Sequence, residues 1–184
     1  MKFDPQKHHR RSIRLKEYDY AQLGGYFVTL VTYHRDLLFG EIANVEMHLN
    51  GFGKIADECW RAIPDHFLNV KLGVYVIMPN YVHGIIVINE NAAAANSSPS
   101  VGARHASPLP PHGVKPKSIG AIVGSFKSAV TKRVGREHIA TGIWQRNYYE
   151  HIIRDHKDWD RIHNYIETNP SMWAEDEENP LKHA

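Results

Sequence analysis

The sequence predicts an α+β domain, a ferredoxin-like βαββαβ two-layer sandwich on an antiparallel sheet, with an additional helix at its C-terminal end. Three observations lead there. Val74 to Ile88, reading VYVIMPNYVHGIIVI, sets two apolar, β-branched runs around Met78-Pro79-Asn80, the pattern of adjacent strands joined by a tight connection. A β-former run from Tyr26 to Tyr33 follows Gly24-Gly25 and ends at His34-Arg35-Asp36. Two stretches with helical apolar spacing, 50–63 and 118–136, fall between the strands in the order the sandwich requires.

Residues 1–20 form a basic N-terminal arm with Lys2, Lys7, Arg10, Arg11, Arg14 and Lys16, in which only Ile13 and Leu15 are suited to packing. Such an arm can track a phosphate backbone. Leu38 to Ile42 and Glu46 to Leu49 read as short extended pieces. From a cap at Asn50, a helix to Ile63 places Phe52, Ile55, Ala56, Cys59 and Ala62 on one stripe, and Pro64 is expected to stop it. Phe67 to Met78 is the second strand with its approach, and Val82 to Asn89 the third. Residues 90–117 change character, with an alanine run, Ser97-Ser98-Pro99-Ser100 and Pro108, Pro110, Pro111 and Pro116, and read as a flexible insertion. The insertion does not divide two domains, because its flanks supply too few elements to stand apart. Ser118 caps a helix to about Arg136 with Ile122, Phe126, Ala129, Val130 and Val134 inward and Lys127, Lys132, Arg133 and Arg136 on its other side. Ile143 to Arg154 leads through a loop into the fourth strand. Asp155 caps a last helix through Thr168 with Trp159, Ile162 and Ile166 as its buried stripe, ended by Pro170. The domain thus spans 21–173, and 174–184 is an acidic tail containing Glu175, Asp176, Glu177 and Glu178.

At 184 residues, 42% hydrophobic and 23% charged, the composition is that of an ordinary globular domain. No apolar run is long enough to span a bilayer, a single Cys59 excludes a disulfide framework, and the N-terminus lacks the apolar core of a signal peptide. A cytoplasmic protein without membrane contact is expected. Gly-rich phosphate loops are absent, so no nucleotide cofactor is expected. The net charge of +2 is small but uneven: Lys115 to Arg136 runs without an acid, while carboxylates cluster near the C-terminus. That asymmetry fits phosphate contacts on one surface, although solvated surface charge produces the same pattern.

The period of two puts Tyr81, His83, Ile85 and Val87 on one face of the third strand and Val82, Gly84, Ile86 and Ile88 on the other. A lone His beside apolar neighbours is ordinarily a hydrogen-bonded core residue, and a helical Tyr ordinarily a packing one. On the last helix Arg161, Tyr165 and Asn169 recur every four residues and share a face.

Met78-Pro79-Asn80-Tyr81-Val82-His83-Gly84 resembles the segment carrying the HUH motif in the IS200-like, REP-associated tyrosine transposases of the HUH single-strand nuclease superfamily. Trp144-Gln145-Arg146, His151-Ile152-Ile153-Arg154, Tyr165-Ile166 and Asn169-Pro170 resemble their second signature. Arg14-Leu15, Tyr26 to Thr29 and Leu38 to Glu41 extend the match over most of the chain. In that family the two His of the motif, one residue apart, bind a divalent ion; here His83 matches the second, and Tyr81 stands at the first. The resemblance implies that Tyr165 is the nucleophile, that Asn169 joins His83 at the metal, that the ion is Mg²⁺ or Mn²⁺, and that the partners are single-stranded DNA hairpins of repetitive palindromic elements. Arg10, Arg11, Arg14, Lys127, Lys132, Arg133 and Arg146, with Trp144 as a stacking aromatic, are the expected DNA contacts. The family includes monomers and dimers, so a homodimer is compatible with the resemblance.

The expected chemistry follows from charge. An ion at the scissile phosphate polarises it, and a Tyr hydroxyl attacks to give a 5′-phosphotyrosyl link and a free 3′-hydroxyl, which a later 3′-hydroxyl reseals without ATP. A neutral phenol is a poor metal ligand, and phenolate near neutral pH requires a shift of roughly three units. Weaker metal affinity and slower cleavage are therefore expected at Tyr81. Two alternatives stand beside the metal-dependent endonuclease and strand transferase: a hairpin-binding protein that has lost the chemistry, and an RNA-binding regulator on the same scaffold.

Overall fold

The computed structural model describes residues 19–90, 115–135 and 142–183. Arg10, Arg11, Arg14 and Arg136, and nearly all of the 90–117 insertion, lie outside the described residues.

Met78 and Tyr81 pair across the Pro79-Asn80 turn, joining β4 (Val70–Met78) to β5 (Tyr81–Ile88) as an antiparallel hairpin. β1 (Gly24–Val31) lies along the other side of β5, and β6 (Tyr149–Ile153) completes the sheet beside β1. The order β4-β5-β1-β6, antiparallel throughout, is that of the expected sandwich. The short extended pieces form a separate hairpin, β2 (Gly40–Ala43) with β3 (Glu46–Leu49).

One face of the sheet carries α1 (Gly51–Arg61) and α3 (Ile119–Val134). Tyr26, Val28, Leu30, Val82, Ile86 and Ile88 from the strands pack there with Ala56, Trp60, Ile122, Phe126 and Val130. Trp60 is fully buried at the C-terminal end of α1's inward stripe. Gly84 makes room for it, since a Cβ at that position would lie 2.3 Å from Cζ2 of Trp60. α1 ends at Arg61, ahead of Pro64, which sits in the first turn of a second short helix, α2 (Ile63–His66), where its missing N–H would have had no partner. The three expected caps are present: the side chains of Asn50, Ser118 and Asp155 accept from the backbone N–H of Gly53, Ala121 and Asp158.

The additional helix, α4 (His156–Thr168), covers the opposite face of the sheet, where Ile162 and Ile166 pack on Phe27 and Ile85. The C-terminal segment set apart as an acidic tail does not trail from the domain. It continues through 3-10 turns at Pro170–Glu175 and Pro180–His183 and is tied to the β4–β5 turn. Asn80 is fully buried, and its Nδ2 donates to the carbonyls of Glu178, at 2.7 Å, and Arg35, at 3.2 Å.

Candidate active site

Strand register builds the floor of the site. Thr29 on β1 is paired with His83 on β5 and with Tyr149 on β6, so these three side chains form a row on the α4 face. The next row is Ile85, Phe27 and His151. His83 is 4% exposed. Its Nδ1 lies 2.9 Å from Thr29 Oγ1, and its Nε2 lies 3.2 Å from the hydroxyl of Tyr165 on α4. Burial pulls the His83 pKa down to about 3, so the ring is neutral and has one N–H and one lone pair. With the N–H on Nδ1 given to Thr29, Nε2 is the acceptor for the Tyr165 hydroxyl. Tyr165 itself is half-exposed, and burial together with the charge of Asp176 raises its pKa.

Tyr81 is fully buried beside His83, with ring centroids 4.4 Å apart. Its hydroxyl lies 2.5 Å from Asn169 Oδ1 and 2.6 Å from Asp176 Oδ2. A phenol has one proton for these two neighbours. The network is satisfied when Tyr81 donates to Asp176 and the Asn169 amide is turned so that its NH₂ donates to the phenol oxygen. Burial, reinforced by the Asp176 carboxylate, pushes the Tyr81 pKa well above its usual value. Tyr81 therefore stays protonated and is no substitute for a metal-binding imidazole.

These residues do not fit a bound divalent ion. His83 Nε2 faces a hydroxyl, Tyr81 is a neutral phenol, and Asn169 is occupied with it. Among the described residues no three His, Cys, Asp or Glu side chains converge as a ligand set.

The site opens into a cleft of about 950 Å³. Phe27, Thr29, His83, Tyr149, Tyr165 and Asn169 line it, with Met172 on the wall contributed by the C-terminal segment. Glu175, Asp176, Glu177 and Glu178 line it too, so the acidic cluster stands at the cleft itself and not on a surface away from it. The basic side of the cleft is one connected group. His151 Nε2 lies 2.7 Å from Asp158 Oδ2, and Arg161 Nη2 donates to Asp158 Oδ1 at 2.5 Å. His151, with help from Arg161, lowers the Asp158 pKa to about 2.

The sequence-derived site residues are thus partly assembled. His83, Tyr81, Tyr165 and Asn169 come together. The candidate DNA contacts on α3 do not join them, because α3 lies across the sheet from the cleft. Arg133 is paired with Glu58 on α1 and also reaches Cys59, while Lys132 is exposed. Lys127 donates to the carbonyls of Gln145 and Asn147, and its partial burial lowers its pKa to about 8. Trp144 does not present a free face. It packs against Phe39 and Phe126 and donates Nε1–H to the Lys127 carbonyl at 3.1 Å, which fastens the loop before β6 to α3. Arg146 in that loop is exposed. Thr29, Tyr149, His151, Asp158 and Asp176 are site residues that the sequence reading passed over. Thr29, Tyr149 and His151 become visible only through strand pairing. Asp176 follows Pro170, where no periodicity marks a position.

No helix among the described residues is long and apolar enough to cross a membrane. No family model matches the chain. A solved structure of a REP-associated tyrosine transposase bound to a REP hairpin is similar in fold, with a TM-score of 0.57 and 17% identity, covering 86% of this chain and 73% of that one. An uncharacterized protein of Haemophilus influenzae is 43% identical over 176 residues, 96% of each chain. The chain belongs to the same family as that Haemophilus influenzae protein, on a fold shared with a REP-associated tyrosine transposase.

Proposed function

We propose that the chain is a transposase-like single-strand DNA nuclease and strand transferase that acts beside DNA hairpins, with Tyr165 as its nucleophile and Tyr81 making it slow. The observation that carries this reading is the 3.2 Å contact between the Tyr165 hydroxyl and Nε2 of the buried His83, on the floor of an open cleft. The solved hairpin complex of a protein with this fold supports the choice of partner.

In the proposed step Tyr165 Oη attacks the phosphorus, the bond from phosphorus to O3′ breaks, and a 3′-hydroxyl leaves the other strand end. The Tyr165 proton passes to His83 Nε2, and the departing O3′ takes up a proton from solvent in the open cleft. A later 3′-hydroxyl reverses the exchange. His83 holds a proton weakly because it is buried, and Tyr165 releases one reluctantly, so the transfer is uphill and cleavage is slow. The alternative, a hairpin-binding protein without chemistry, is favoured by one observation: Tyr81 is committed to Asp176 and Asn169 where the resemblance calls for an imidazole.

Denaturing gels of palindromic single strands, with and without Mn²⁺ or Mg²⁺, separate the two. A covalent adduct formed by the native protein and lost in Tyr165→Phe supports the nuclease. An adduct formed only by Tyr81→His transfers the reading to the binding protein.

A further inference from the structure

We propose that Tyr149 is a stacking platform for an unpaired nucleotide next to the phosphate presented to Tyr165, and so selects single-stranded over duplex DNA at the cleft. The inference rests on the reading that the cleft takes DNA. Tyr149 is 48% exposed and lines the same cleft as Tyr165. Strand pairing puts it in the row of Thr29 and His83, two strands from His83, which is roughly 10 Å at ~4.8 Å per strand. That distance is on the scale of one nucleotide.

The orientation of the ring is suited to the task. Tyr149 meets Phe27 at 69° with centroids 6.3 Å apart, and Tyr165 meets the same Phe27 at 82° and 6.1 Å. Phe27 thus meets both tyrosines at a steep angle and stacks flat on neither. Trp144, by contrast, is held between core aromatics and by its indole N–H. A base inside a duplex already has both faces stacked, whereas an unpaired base offers one, whichever base it is. Arg161, fixed on Asp158 in the same cleft, places a guanidinium where the strand's phosphates would run.

The test uses the full chain and a single-stranded oligonucleotide of mixed sequence carrying 2-aminopurine, compared with the same strand annealed to its complement at low salt. The native protein is expected to bind the single strand more tightly and to quench the 2-aminopurine. Tyr149→Leu keeps apolar bulk against Phe27 but removes the ring, and is expected to weaken single-strand binding about tenfold, abolish the quench and leave duplex binding within about twofold. Tyr149→Phe should restore both signals. Unchanged single-strand binding in Tyr149→Leu, or equal loss for single strand and duplex, overturns the platform while leaving the DNA reading in place. If the native protein binds neither form, the DNA reading and the platform fall together.

Discussion

The hydroxyl of Tyr165 points at Nε2 of His83 from 3.2 Å, and the other nitrogen of the same ring is anchored 2.9 Å from Thr29. A half-exposed helical tyrosine is thereby aimed by a buried strand residue. Its ring is also held by Phe27. Tyr165→Phe should keep that ring contact and cost less than about 1 kcal/mol of stability, because one half-exposed hydrogen bond is lost. The covalent adduct should vanish completely. Urea unfolding alongside the adduct gel checks both, and a persistent adduct would remove Tyr165 from its role.

Tyr81→His should create the imidazole pair that the native site lacks. Melting temperatures with and without Mn²⁺ read this directly, without requiring catalysis. At Mn²⁺ about a hundredfold above its Kd, binding stabilises by ~2.7 kcal/mol, a rise of roughly 5–10 °C for a chain of this size. The native protein should show little shift. An equal shift in both would mean that the ion binds elsewhere or does not need the second imidazole.

The sandwich was legible because its signals are periodic. The alternation in Tyr81 to Ile88 assigned each side chain to the face it occupies: Val82, Ile86 and Ile88 meet α1 and α3, and Ile85 meets α4. Trp60 was not legible, since the expected stripe of Phe52, Ile55, Ala56, Cys59 and Ala62 passed beside the fully buried indole. The site was legible only where a motif stands in one segment, as with Tyr81 and His83, or where helical spacing groups residues, as with Tyr165 and Asn169. Tyr149 and His151 reach the cleft through pairing of β6 with β1, which depends on register and not on local pattern. Charge was the least informative guide. Lys127 and Arg133, expected at DNA, lie across the sheet from the cleft and bond to a loop carbonyl and to Glu58, while the acidic C-terminal run lines the cleft.

Acid should destabilise the fold through His83. Its folded pKa, about 3, lies below the ordinary value of 6.5, so between those limits the unfolded chain takes up a proton that the folded chain refuses. Stability is then lost as pH falls from about 6.5, by up to ~1.4 kcal/mol per pH unit from this group alone. Carboxylates held below their ordinary values, Asp158 at about 2 and Glu58 beside Arg133, add their own losses from about pH 5 downward. The window from about pH 6.5 to 5 is therefore where His83 stands apart from them. Urea midpoints across it should flatten in His83→Gln; identical slopes in the two proteins would mean that burial does not keep the ring neutral.

Gly84 links the motif strand to the helical layer behind it. An added Cβ would lie 2.3 Å from Trp60 Cζ2 and 3.0 Å from Tyr75 Cβ, both on the face away from the cleft. Gly84→Ala should therefore cost about 1–3 kcal/mol, the usual penalty of an overfilled core. It should also disturb the adjacent His83 by pushing β5 from behind. Trp60→Leu alone should cost about 2–4 kcal/mol by leaving a void beneath the sheet. If the clash is the cause, the double variant should lose clearly less than the sum of the two, because the new methyl enters the space vacated by the indole. Urea denaturation of the four proteins supplies the cycle. Additive losses would show that Gly84 is required for backbone reasons, and that Trp60 does not set the distance between α1 and the strand carrying His83.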